Sequence, residues 1–370
     1  MKEHDTDLTL RHCIQKVATG PEYSKDLSFK EAREAMRKIL DSSVDPVQAG
    51  VFLIALRMKR ETEDENRGTL EAIRETMDIV TAPVDTVLDI ADPYDGFLRH
   101  LPMSPFLATV LAACGIPTFS HGIEQLGPKY GLTYAKVLRA AGCDTGKTTE
   151  EAAGLLGDVG WAYVDQSRFC PALHKLESLR SRIVKRPILT TVEVLASPIR
   201  GKKNTHYVTG YVHKAYPPIY LDLARFLSFD SAAVVKGNEG GIIPSLKQAS
   251  RLFEYHGNSE TQMRELDPDS CGLKQAVRAV PVPDDLPAAS VKSDAIGPAH
   301  DVESMAEVTA DIGIRALQGE KGVALDSLIY GGAIILSHLR KQLSLPEAAK
   351  TVAKKISSGE AYARFKAAVN

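Results

Sequence analysis

Thr86-Val-Leu-Asp-Ile-Ala-Asp-Pro-Tyr-Asp-Gly96 decides the reading of this chain. Thr86–Ala91 is β-branched and apolar, the composition of a short buried strand. Asp92-Pro93-Tyr94-Asp95-Gly96 then reads as a turn, because Pro, Asp and Gly are turn formers. Downstream the pattern alternates. Ser104 to Cys114 is predicted helical, Ile116–Ser120 a strand, Tyr134–Ala141 a helix and Trp161–Val164 a strand. Pro171–Ile183 follows as a helix, then strands at Tyr207–Val212 and Ala232–Val235 with the helix Pro218–Leu227 between them. Strands alternating with helices predict an α/β fold with a mostly parallel central sheet flanked by helices.

Upstream, the chain reads as helices. Ser28 with Glu31 and Thr62 with Glu65 have capping-box spacing, and Asp45-Pro46 offers an N-cap followed by proline at the first helical position. Residues 256–300, with Asp267-Pro268, Pro281-Val282-Pro283 and Pro287, break the alternation and are expected to form a long excursion or a short extra hairpin. The Asp284-Asp285 pair within it is read as solvated. Helices at Val302–Leu317, Asp326–Leu343 and Ser344–Ser357 close the chain.

Composition excludes several classes. With 45 basic and 47 acidic residues among 370, no whole-chain positive excess marks a nucleic-acid binder. The polar start Met1-Lys2-Glu3-His4-Asp5 gives no secretory signal, and apolar runs such as Val110–Cys114 are too short to cross a bilayer. Five scattered cysteines without a C-x-x-C pair fit a reducing cytosol, and each is expected to be a small buried apolar residue. The expected location is cytoplasmic, with no membrane partner.

Three loops could carry chemistry. Asp92-Pro93-Tyr94-Asp95-Gly96 lies at a strand's carboxyl end, where α/β proteins place ligands, and its carboxylates could hold a metal or hydroxyl groups, or form a plain turn. Ser120-His121-Gly122 through Lys129-Tyr130-Gly131 joins glycines, which let backbone N–H groups approach an anion, to the charge of Lys129; it is not a Walker A loop. From Arg168 to Lys214, ten basic residues face only Glu177 and Glu193. Lys175, Arg180, Arg182, Lys185, Arg186, Lys202 and Lys203 in this span could bind phosphates or a polynucleotide backbone, or be a solvated face. Glu239, in Asn238-Glu239-Gly240-Gly241 after a strand, is placed where a Mg²⁺ ligand could sit.

Several motifs together resemble one family. Phe52-Leu-Ile-Ala-Leu-Arg-Met-Lys59 with Glu61-Thr62 is similar to the N-terminal helix of anthranilate phosphoribosyltransferases. Ala113-Cys114-Gly115, His121-Gly122, Lys129-x-Gly131, Leu138-x-x-x-Gly142, Pro171-Ala172 with Arg180, Gly319-Glu320-Lys321-Gly322 with Asp326, and Ser358-Gly359 follow in that family's order. The resemblance covers nearly the whole chain except 256–300. It implies a small helical domain, residues 1–82 with helices contributed from about 165–200, and an α/β domain over 83–370. It implies a homodimer through the helical domains and an active site in the cleft between lobes. There the family displaces pyrophosphate from phosphoribosyl pyrophosphate (PRPP), with Mg²⁺ on the diphosphate. Ser104, Lys129 and Arg180 match positions associated with PRPP or anthranilate.

The departures are equally specific. The family's Gly-Thr-Gly-Gly-Asp loop falls on Asp92-Pro93-Tyr94-Asp95-Gly96, where proline removes a donor, tyrosine adds bulk and two carboxylates repel a diphosphate. Asn-x-Ser-Thr becomes Pro102-Met103-Ser104-Pro105, His-Gly-Asn-Arg becomes His121-Gly122-Ile123-Glu124, and an Asp-Glu metal pair is missing near Glu239. Each donor lost to a developing oxyanion costs a hundredfold or more in rate, roughly. The expectation is a divergent transferase taking a phosphorylated small molecule, its catalytic residues undefined and its acceptor altered. The alternatives are a dimeric nucleic-acid-binding protein on the same scaffold and a true anthranilate phosphoribosyltransferase.

Overall fold

The computed structural model describes residues 8–20, 22–290 and 296–369. Four helices open it: α1 (Leu8–Val17), α2 (Phe29–Leu40), α3 (Pro46–Lys59) and α4 (Glu63–Arg74). The caps read from sequence are present: Ser28/Glu31 and Thr62/Glu65 form capping boxes, and Asp45 accepts from the Val47 and Gln48 N–H groups. Glu65 does more than cap. Fully buried, it also accepts from Leu27 N (2.9 Å) and pairs with Lys59 Nζ (3.0 Å), tying α3, α4 and the turn before α2 together.

The strands are β1 (Val80–Thr81), β2 (Thr86–Ala91), β3 (Thr118–Gly122), β4 (Trp161–Asp165), β5 (Ile199–Arg200), β6 (Asn204–Gly210), β7 (Ser231–Val235), β8 (Ser250–His256) and β9 (Gln262–Leu266). β1 pairs with β5 alone, and the others form one sheet in the order β4-β3-β2-β6-β7-β8-β9. The first five strands of that order are parallel, whereas β8 and β9 add antiparallel. Alternation decides which face each residue serves. Val87, Phe119, Val164, Tyr207 and Val234 share a core with the helical bundle, while Leu88, Ile90, Trp161, Val208 and Val235 pack toward the C-terminal helices. Helix 323–339 is buried continuously from Ser327 to His338, which explains its lack of a polar face.

The differences from expectation have local causes. The predicted helix 171–183 is two short pieces, Pro171–His174 and Glu177–Ile183, the second set against α3, where a Cβ at Gly50 would lie 3.9 Å from Leu179 Cδ1. The hairpin expected within 256–300 is β8–β9, starting at Ser250. Residues 273–290 and 296–300 contain only isolated bridges, such as Leu101 with Val280. Helices Thr149–Asp158 and Glu360–Val369 were not anticipated, though Thr148/Glu151 is a capping box like the others. No disulfide joins cysteines among the described residues. Burial pushes the Cys114 thiol up to about 11 and the Cys143 thiol up to about 12, so both are inert at neutral pH. No helix among the described residues is long and apolar enough to cross a membrane.

Candidate functional site

At the carboxyl ends of β2, β3 and β7, three loops are stitched together. Gly131 N donates to Asp95 O (2.8 Å), and Phe97 and Leu132 exchange backbone bonds of 3.0 and 2.8 Å. Gly96 has φ +77°, and a Cβ there would lie 2.6 Å from the Gly131 carbonyl carbon, so neither the turn nor the close approach admits a side chain.

The loop's side chains point inward. Asp92 is buried; its Oδ1 accepts from Ile242 N (2.8 Å) and Ser104 Oγ donates to its Oδ2. Burial, outweighing these bonds, pushes the Asp92 carboxyl up to about 6. Tyr94 turns beneath the loop into the core shared with the bundle, so its bulk does not enter the cleft. Its hydroxyl meets His121 Nδ1, and His121 Nε2 stands 3.0 Å from Asp89 Oδ1. With the Asp89 carboxylate accepting, His121 donates from Nε2 and Tyr94 donates to Nδ1, a buried chain of three. Burial holds the Tyr94 phenol well above its ordinary range. Gly122 ends β3 within the sheet, a 3.4 Å contact separating its Cβ position from the Tyr163 hydroxyl.

The cations expected to receive an anion are occupied by carboxylates. Lys129 Nζ lies 2.8 Å from Glu239 Oε2 and donates to Gly96 O. Arg180, 1% exposed, makes a bidentate pair with Glu193, Nη1 to Oε2 at 2.6 Å and Nη2 to Oε1 at 2.7 Å. Arg186 donates from Nε to Asp95 Oδ2 at 2.7 Å. Arg180, expected to meet a substrate or a nucleic-acid phosphate, is thus buried with Glu193 as its partner. Sequence could not reveal Glu193 as its partner, since nothing in a charge count says which acid faces which base.

Glu239, expected as a Mg²⁺ ligand, does not fit one. Its carboxylate accepts from Leu98 N (3.2 Å), Arg99 N (2.6 Å) and His100 Nδ1 (3.0 Å) as well as Lys129. Burial pushes its pKa up, but His100 and Lys129 prevail and hold it down at about 2. A hard cation needs oxygens with free lone pairs, and these are taken. The hollow between the loops, lined by Phe97, His100, Met103, Ser104, Asn238 and Gly241, measures about 10 Å³, room for about one water molecule.

The basic span is not one patch. Lys202 and Lys203 sit at the amino ends of β2 and β6, donating to Pro83 O (2.9 Å) and Asp85 (2.7 Å), whereas Arg186 reaches Asp95 at the opposite, carboxyl end. Lys175, Arg182 and Lys185 are exposed and form no ion pair among the described residues.

A helical bundle beside a parallel-sheet lobe, with charged loops converging at the strands' carboxyl ends, defines a two-lobed transferase architecture. Family models agree: residues 11–77 match the helical bundle domain of a glycosyl transferase family and residues 99–362 match its a/b domain. The chain belongs to that family, the one that holds the anthranilate phosphoribosyltransferases. The anthranilate phosphoribosyltransferase of Novosphingobium aromaticivorans is 29% identical over 261 residues, 70% of this chain and 77% of that protein. Its counterpart in Rhodopseudomonas palustris strain HaA2 is 27% identical over 354 residues, 95% of each. The Saccharomyces cerevisiae enzyme solved with PRPP and Mg superposes with a TM-score of 0.77 at 16% identity, covering 99% of each chain, a likeness of fold.

Asp92 gives the site a measurable pH signature. Its folded pKa, about 6, stands above the ordinary 3.8. Stability from this group is therefore complete below pH 3.8 and is lost as pH rises through 6. Relative to Asp92→Asn, the wild type should lose roughly 2 kcal/mol of unfolding free energy between pH 4 and 6, less than two full units at about 1.4 kcal/mol each because the carboxyl is still titrating at both ends. Urea titrations of both proteins across that range check it; a pH-independent difference refutes the assignment.

Proposed function

We propose that this protein is a divergent pentosyl or phosphoribosyl transferase whose cleft takes a less highly charged donor than PRPP with Mg²⁺, such as a nucleoside or a pentose 1-phosphate, and an acceptor other than anthranilate. One observation carries the reading: Lys129, Arg180 and Arg186 are neutralised from within by Glu239, Glu193 and Asp95. PRPP brings a phosphate and a diphosphate, and binding them here means separating internal pairs. Breaking a buried pair costs about 3–5 kcal/mol, and 1.4 kcal/mol is about tenfold in affinity, so a single buried pair removes a hundredfold or more. Calorimetry with PRPP and Mg²⁺ should give dissociation constants no tighter than about millimolar, some 4 kcal/mol. Glu239→Gln, which frees Lys129, should tighten PRPP binding at least tenfold. Micromolar PRPP binding by the wild type, together with consumption of anthranilate, defeats the proposal.

A homodimer through the helical lobes is part of the same reading. Val47, Val51 and Met58 project from one side of α3, exposed to 73%, 44% and 78%, an apolar stripe at helical spacing. Light scattering on the intact chain should give twice its mass, and Val47→Glu with Met58→Glu should give the single mass. A wild-type monomer at micromolar concentration sinks this part.

A second reading, nucleic-acid binding, is favoured by the exposed Lys175, Arg182 and Lys185, which form no ion pair among the described residues. Gel shifts at increasing salt decide it. Affinity should fall steeply with salt for every sequence, and replacing all three by Glu should flatten the log–log slope by about 3. Binding indifferent to salt or to these changes removes this reading.

A further inference from the structure

A cavity of about 600 Å³ lies away from the cleft, at the amino end of the parallel strands. The β8–β9 hairpin and the end of helix 323–339 form its walls. In the sheet, His206 of β6, Ser231 of β7 and His256 of β8 stand in one cross-strand row. Glu254 is two residues before His256 on the same face of β8. His338 descends onto that face from the helix. Its ring stacks on His256 at 4.4 Å between centroids, and its Nδ1 lies 2.6 Å from Glu254 Oε2. Two imidazolium rings so close would repel, so at least one is neutral with a lone pair to offer.

We propose that Glu254, His256 and His338 form a binding site for a divalent transition-metal ion, Zn²⁺ in the first instance. One ligand atom from each of the three lies within 4.8 Å of the others. Two imidazoles and a carboxylate suit Zn²⁺ over Mg²⁺ or Ca²⁺, and three protein ligands leave a fourth position, here turned toward the cavity.

The surroundings are built for this. Arg264 Nε holds Glu254 Oε1 at 3.1 Å, fixing the carboxylate and leaving Oε2 for the ion. His338 Nε2 is 2.9 Å from Ser231 Oγ, which is 2.8 Å from His206 Nδ1. Ligation through His338 Nδ1 needs the ring hydrogen on Nε2, where Ser231 Oγ can accept it and turn its own hydrogen to His206 Nδ1. That arrangement is the outer support ligating histidines ordinarily have. The ion takes the place of the hydrogen between Glu254 and His338. Their contact must widen from 2.6 Å to about 3.3 Å, the spacing of two ligands 2.0–2.1 Å from a tetrahedral ion. Arg264 and Lys341, which line the same cavity, weaken the site electrostatically.

The test is equilibrium dialysis of the chelator-stripped, full-length protein against Zn²⁺ in phosphate-free buffer, with Co²⁺ as an optical probe. The wild type should retain one Zn²⁺ per chain, and Co²⁺ should give the intense visible bands of four-coordination. Glu254→Gln, which keeps the side chain's shape, and His256→Gln, at a half-buried position, should each weaken Zn²⁺ at least tenfold with the apo melting temperature little changed. Should Glu254→Gln prove unstable, His256→Gln and the wild-type Co²⁺ spectrum still decide. No stoichiometric metal, a six-coordinate Co²⁺ spectrum, or Zn²⁺ held equally by the variants through cysteines or histidines elsewhere overturns the proposal.

Discussion

The Glu239 carboxylate holds the rim of the cleft in shape. Its backbone has φ +50°, a left-handed conformation that costs a non-glycine residue about 1–2 kcal/mol. Two backbone N–H groups, an imidazole and an ammonium satisfy the side chain in return. Asp92 works in the opposite sense, reaching from the first loop to the Ile242 N–H of the third. The two acids staple the loops reciprocally: Glu239 from the third loop to the first, Asp92 from the first to the third. A rim that satisfies its donors this way has few left for an anion. The carboxylates that staple the rim are thus also the groups that take up the donors an anion would need.

How much of this was legible in the sequence depends on range. β2, β3, β4 and β7 were readable because their alternation and flanking turns are local properties, and so were the caps at Ser28, Asp45 and Thr62. The break in the 171–183 helix was not, and its second piece packs against α3, more than a hundred residues upstream. Pairing across the fold was invisible throughout. Lys129 and Glu239 are 110 positions apart, and Arg180 looked like a free cation because Glu193, only 13 residues away, carries no mark of being its partner. The basic span 168–214 shows the same limit in reverse. Counted along the chain it is one cluster, yet the sheet sends Lys202 and Lys203 to one end and Arg186 to the other.

The kinship with anthranilate phosphoribosyltransferases and the altered rim are compatible for a physical reason. The fold asks for alternating apolar positions on two sheet faces and a buried helix 323–339, and many sequences meet that demand at 16% identity. Loops at strand ends answer only to closure and to their ligand, so they can be rebuilt without disturbing the core. Family membership therefore speaks for the scaffold, while the site must be argued from its own residues.

The two ends of the sheet can be considered separately. From His206 to Gly210 on β6 is about 13 Å at 3.3 Å per residue, and close-packed side chains fill the interval. Charges that far apart exceed the Debye length of about 8 Å at physiological salt. Substitutions more than about 10 Å apart with no shared partners add independently. Helix 323–339 reaches both, with Ser327 facing the region of the hollow and His338 the histidine row. Being buried along its length, it can transmit displacement only as a rigid body, and the 0.7 Å widening a metal demands at His338 is small enough to be absorbed by side-chain rotation. The chemistry of the cleft and the occupancy of the far cavity are then separate properties of one scaffold, each answerable to its own residues.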